Sequence, residues 1–119
     1  MHLIKNELTL LYNGNFQKSK QTLAIAKSLS NKINMQNICS VNVSQNLFCI
    51  MLNNLTYNTK DVVNKSSKFY QLELRGKEFS TSQWFHIIKN HPELLINPIG
   101  MYHGKSILCK TPTDILKFG

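Results

Sequence analysis

The sequence predicts an α/β protein: a mixed four-stranded sheet with flanking helices and an all-helical insert. Three observations predict it. The chain opens on a short apolar, β-competent run followed by a turn and an amphipathic helix. Its middle, roughly residues 44–91, carries helical patterns only, and its end reads as a hairpin and a last helix. A chain of 119 residues, 42% hydrophobic, is long enough to bury a core without staples, and one domain over residues 1–119 is expected.

Leu8–Tyr12 is the opening strand, and Asn13-Gly14-Asn15 is turn chemistry. From Lys18 an amphipathic helix is expected, with Thr22, Ile25, Ala26, Leu29 and Ile33 on one stripe. A strand feeding a tight loop and a helix N-terminus is a place to hold an anion, because free backbone N–H groups point out of it. Residues 36–41 (QNICSV) read as the second strand, with Cys39 in its core. Ser44 sits at the N-cap of a mostly buried helix carrying Leu47, Phe48, Ile50, Met51, Leu52 and Leu55, with Cys49 facing the core or its rim. Asn58 or Thr59 opens a short helical segment through Val62 and Val63. Residues 66–74 read as another, broken by Arg75-Gly76-Lys77.

Ser80 and Gln83 form a capping box at the head of a helix carrying Trp84, Phe85, Ile87 and Ile88, with Trp84 and Phe85 one on each side of it and one of them partly exposed. Pro92 ends that helix. Pro98 stands near the start of the third strand, and His103-Gly104 turns the chain into a fourth over residues 106–109. Thr111, with Pro112 at the first helical position and Asp114 at the third, caps a final helix of Ile115, Leu116 and Phe118. The first β-α-β should pair its strands in parallel, and the late hairpin should complete the sheet. That is the thioredoxin-like plan with a helical insert.

Fourteen Lys and Arg against six Asp and Glu leave a formal charge of +8, which raises nucleic acid as a partner. Arg75 is the sole arginine and the lysines are spread along the chain. Specific nucleic-acid binding is therefore not expected; a basic surface for acidic partner proteins is. No apolar run approaches the roughly 18 residues of a membrane span. The opening MHLIKNEL has neither an apolar h-region nor a cleavage site, so a cytoplasmic protein is expected. Cys39, Cys49 and Cys109, an odd number without CxxC spacing, argue against a disulfide framework and a zinc site. His86 and His91, five apart across a helix end, make no metal pattern, and no metal is expected.

Two blocks carry a family resemblance: LLYNGNFQKSKQTLAIAKSL, and FSTSQWFHIIKNHPELLINPIGMYHGKSILCKTPTDIL. They resemble the arsenate reductase/Spx family of thioredoxin-fold proteins, the first its strand, active-site loop and helix, the second its final helix, strand, hairpin and terminal helix. The resemblance implies a low-pKa cysteine at the start of the first helix, ionised by the helix dipole and nearby cations. The matching position here is Phe16, which has no nucleophile. Lys20 stands where the loop arginine stands, and Gly14 replaces the loop proline. The family's anion-clamping arginines match Asn64, Asn97 and Lys110; lysine keeps the charge but loses the planar fork, and asparagine keeps neither. Pro98 matches the family's sheet proline, commonly cis. Asn13 and Ser19 match loop positions that organise the turn and cap the helix.

The function this implies is that of a redox-inactive relative working by protein binding, without a cofactor. Spx-branch members dock on RNA polymerase, so RNA polymerase or another acidic protein is the expected partner. Asn13, Gln17, Ser19, Lys20, Pro98 and Lys110 are the candidate ligand-binding residues, and the catalytic set is empty. The alternative is a thiol-dependent oxidoreductase using Cys109 or a bound glutathione, with Lys110 lowering the thiol pKa. Against it, the apolar Ile107-Leu108 strand favours a packed, inert thiol. A residual anion site over residues 14–20, using Lys20 and Lys110 without chemistry, is the third expectation.

Overall fold

In the computed structural model, which describes residues 7–55 and 59–118, the sheet assembles on β1 (Leu8–Tyr12). The order is β2-β1-β3-β4. β2 (Ile33–Asn37) runs parallel to β1, with Leu8 opposite Ile33 and Tyr12 opposite Asn37. β3 (Ile99–Tyr102) runs antiparallel on the other side of β1, and β4 (Lys105–Leu108) completes the hairpin. His103 and Gly104 both take positive φ, 53° and 79°, as a two-residue hairpin turn requires.

Strand alternation divides β1 between two cores. Leu8 and Leu10 face Ala26, Cys109 and Ile115, under α1 (Gln17–Leu29) and the C-terminal helical turn Pro112–Phe118. Leu11 faces the other way with Ile99, Met101 and Leu108. There the core is closed by Leu47, Phe48, Met51 and Leu52 of α2 (Gln45–Asn53) and by Trp84, Phe85 and Ile88 of α3 (Thr81–Asn90). Gly100 permits the first of these layers to approach: a Cβ there would lie 2.6 Å from Ile115 Cδ1 and 3.0 Å from Phe118 Cε2.

The caps form as their residues dictate. Ser44 Oγ accepts from Leu47 N at 3.1 Å, and at Ser80 both arms of the capping box are present, at 3.1 and 2.8 Å. His91 ends α3, and Pro92–Leu94 forms a single turn. The insert between α2 and α3 is helical in short pieces, Thr59–Val62 and the wide turn Tyr70–Leu74, broken at Gly76 with φ 79°. Asn58 lies outside the described residues. At the C-terminal turn Asp114 Oδ2 accepts from Thr111 N at 3.0 Å.

Three expectations are corrected. The second strand is Ile33–Asn37, not residues 36–41. α1 stops at Leu29, and Leu8 N already donates to Lys32 O at 2.9 Å, so the parallel pairing begins at once. Ile33 still packs against the same core as Leu29 and Ile25, but from the strand. Cys39 consequently falls in an exposed turn after the strand rather than in a strand core. Trp84 and Phe85 do not divide between core and surface; both are buried.

Candidate functional site

Because β1 and β2 are parallel and β3 is antiparallel, the loop after β1, the turn after β2, the entry to β3 and the exit of β4 gather at one end of the sheet. Asn13 organises this end. Its side chain is buried; Nδ2 donates to Pro92 O at 2.7 Å, and Oδ1 accepts from Asn15 N at 3.0 Å and from the Cys39 thiol at 3.4 Å. Gly14 N donates to Asn37 Oδ1 at 3.2 Å, and a Cβ on Gly14 would lie 2.6 Å from Asn37 Nδ2. A proline here would lack the N–H that this contact uses and would collide with the amide. Glycine at this position thus goes together with Asn37.

Phe16 is the N-cap of α1, in extended conformation, and offers no side-chain acceptor to the helix. It is half-buried, yet belongs neither to the two core clusters nor to the cavity described next. Ser19 does not cap the helix. It lies on the buried face of α1 with Thr22 and Ala26, and its Oγ has no hydrogen-bond partner among the described residues.

A cavity of about 480 Å³ opens between the insert and the β3/β4 end, lined by Asp61, Val63, Asn64, Lys65, Ile96, Asn97, Leu108 and Lys110. The three positions matched to anion-clamping arginines, Asn64, Asn97 and Lys110, therefore share one wall-to-wall space. Lys18 is tied to its wall: its Nζ donates to Asn97 Oδ1 at 2.9 Å. Asp61 pairs with Lys65 at 3.8 Å and offsets one of the cations. The resulting lining is a few movable ammonium groups and two amides. It can receive a carboxylate or another anion as a point charge, without the bidentate geometry that arginine supplies.

The thiols are placed differently from expectation. Cys109 is fully buried in the core under α1, and burial, then Asp114, push its pKa from 9.0 up to about 12. Lys110 is exposed and does not activate it. Burial also raises Cys49. Cys39 is the exposed thiol, held at the loop by Asn13 and by Asn15 Nδ2, which donates to its sulfur at 3.6 Å.

Of the candidate ligand-binding residues, the structure brings Asn13, Pro98 and Lys110 to the loop end, with Lys110 in the cavity wall. Gln17 and Lys20 are exposed on α1 and line none of the cavities described here. Pro98 is buried, its carbonyl accepts from Cys109 N at 2.8 Å, and its peptide bond is trans, contrary to the family habit. Lys18 and Lys65 were missed by sequence reasoning. Lys18 stands two positions before the lysine matched to the family arginine, on a helix face that only the approach of Asn97 makes relevant.

No protein-family model matches the chain, and no curated protein sequence does. Solved structures do. An arsenate reductase from Vibrio cholerae superposes with a TM-score of 0.75 at 19% identity, covering 96% of this chain and 98% of that one. A Yersinia pestis protein provisionally named an arsenate reductase gives 0.74 at 20% identity, over 92% and 98% of the two chains. A third, from Streptococcus mutans UA159 and named with the same reserve, gives 0.65 at 20% identity, over 93% and 98%. The likeness runs over nearly the whole of each chain, and this chain has the thioredoxin-like fold of the arsenate reductases.

Proposed function

We propose that this protein is a redox-inactive, Spx-like relative of the arsenate reductases that works in the cytoplasm by binding an acidic partner protein at the loop end of its sheet. The observation that carries this reading is Phe16 at the N-cap of α1, where an attacking thiolate would need to stand. Cys109 offers no substitute, because a buried thiol with a pKa near 12 is neither ionised nor reachable at neutral pH. The cavity beside the loop supplies lysines for an acidic side chain, and the charge of +8 speeds encounter with an acidic surface. RNA polymerase, the partner implied by the resemblance to the Spx branch, is the first to try.

The test is affinity capture from native cytoplasm beside a Lys65→Glu, Lys110→Glu double variant. Both side chains are solvent-facing, so the variant should fold. A stoichiometric acidic partner, released by salt and lost by the variant, is expected. Capture of no partner, or of one that both proteins retain equally, refutes the reading.

One observation favours a second reading. The exposed Cys39 thiol sits beside the loop, in the turn after β2, so this reading places thiol-dependent chemistry there and not at Cys109. Loss of a thiol–disulfide exchange activity on Cys39→Ser, with the partner still captured, would select it.

A further inference from the structure

We infer that the free edge of β2 is a self-association surface, on which a second copy of this chain pairs antiparallel about Met35 to make one continuous sheet. The parity of the ladder defines the surface. Lys32 O accepts from Leu8 N and Ile38 N donates to Tyr12 O, so even-numbered residues of this stretch face β1. Ile33 and Met35 therefore turn both backbone groups outward, and Asn37 its N–H. The Asn37 carbonyl accepts from Ser40 N at 2.9 Å, which closes the free edge at that end. Among the described residues β2 is the last strand of the sheet on its side.

Edge strands are ordinarily blunted by lysine, proline, a bulge or a covering element. The strand INMQN has no charge and no proline. Charge is absent well beyond it: no Asp, Glu, Lys or Arg occurs between Lys32 and Lys60, in a chain that is 17% charged. Two of the large apolar side chains left exposed, Met35 at 49% and Val41 at 90%, lie on this neutral stretch.

Charge also chooses the occupant. An acidic partner finds no cation on this strand, whereas a second copy of a +8 protein can approach only where its own charge is missing. With the two-fold axis at Met35, Met35 faces Met35 of the second copy, Ile33 faces Asn37 and Asn34 faces Gln36. The pairing is self-complementary, with amides opposite each other. The two copies of Lys32, the nearest charges, then stand about 20 Å apart along the ladder, beyond the ~8 Å screening length of physiological salt.

The test is sedimentation of the full chain over a wide concentration range, with amide exchange followed in parallel. A reversible dimer is expected, with the Met35 and Asn37 N–H groups gaining protection as dimer forms. Met35→Lys sets two ammonium groups across the axis and should weaken the dimer about tenfold or more. Met35→Pro removes an N–H that faces the open edge and not β1, so it should abolish pairing while keeping the ladder. Should the proline variant fail to fold, the lysine variant decides. A protein that stays monomeric, or a dimer that withstands both substitutions, overturns the inference. So does protection of these amides only when another protein is added, which would make the edge a site for a foreign strand.

Discussion

Alkaline pH should destabilise this protein through one buried thiol. Cys109 is packed among Leu8, Leu10, Ala26 and Ile115, and burial together with Asp114 raises its pKa from 9.0 to about 12. In the unfolded chain the thiol ionises near its ordinary value; in the folded chain it holds its proton. Between these two values the folded state binds more protons than the unfolded one, so stability is complete below the unfolded pKa and falls as pH rises. At about pH 10.5 the linkage amounts to about 2 kcal/mol, a large share of a small domain's stability. Lysines and tyrosines titrate in the same range, so the measurement is a difference. Urea unfolding at neutral and alkaline pH, under reductant, is compared for the native chain and Cys109→Ala. The alanine variant should start about 1 kcal/mol lower from its smaller side chain and lose about 2 kcal/mol less on the shift to alkaline pH. Equal losses in the two proteins would refute the reasoning, and with it the placement of an un-ionised thiol in this core.

The folded protein exposed to a thiol alkylating agent at neutral pH should be modified at Cys39, with Cys109 protected until denaturant is added; mass spectrometry of the peptides reads both. Asn13→Ala takes one of two donors from the Pro92 carbonyl, which keeps Leu95 N, and leaves the Asn15 N–H without its partner; it should cost about 1–2 kcal/mol in urea unfolding. Gly100→Ala drives a Cβ against Ile115 and Phe118 and should destabilise by about 1–3 kcal/mol, read as a lower melting temperature. Ser80→Ala removes one arm of the capping box and should cost about 1 kcal/mol without affecting partner capture.

Features that a few neighbouring residues decide were legible in the sequence. The capping box at Ser80, the cap at Ser44 and the His103-Gly104 turn each rest on a hydrogen bond or a backbone conformation fixed within about four residues. The second strand was not, because QNICSV and INMQN are equally poor in strand signals. The choice between them is made by where α1 ends and by the pairing with β1, a contact between segments about 25 residues apart. The site was legible in part. The residues matched to arginines do line one cavity, but Lys18 joins them through Asn97, 79 residues away in sequence.

By itself the sequence determined the α/β class, the helical insert and the absence of a thiol at the head of the first helix, since these follow from composition and local pattern. Only the tertiary structure decided which thiol is reachable. Cys39 and Cys109 look alike in sequence, each beside apolar residues. One falls past the end of an edge strand into solvent, and the other exits β4 beneath α1 and the C-terminal turn. Burial depends on what the rest of the chain places over a residue, and that covering is assembled from segments far apart in sequence.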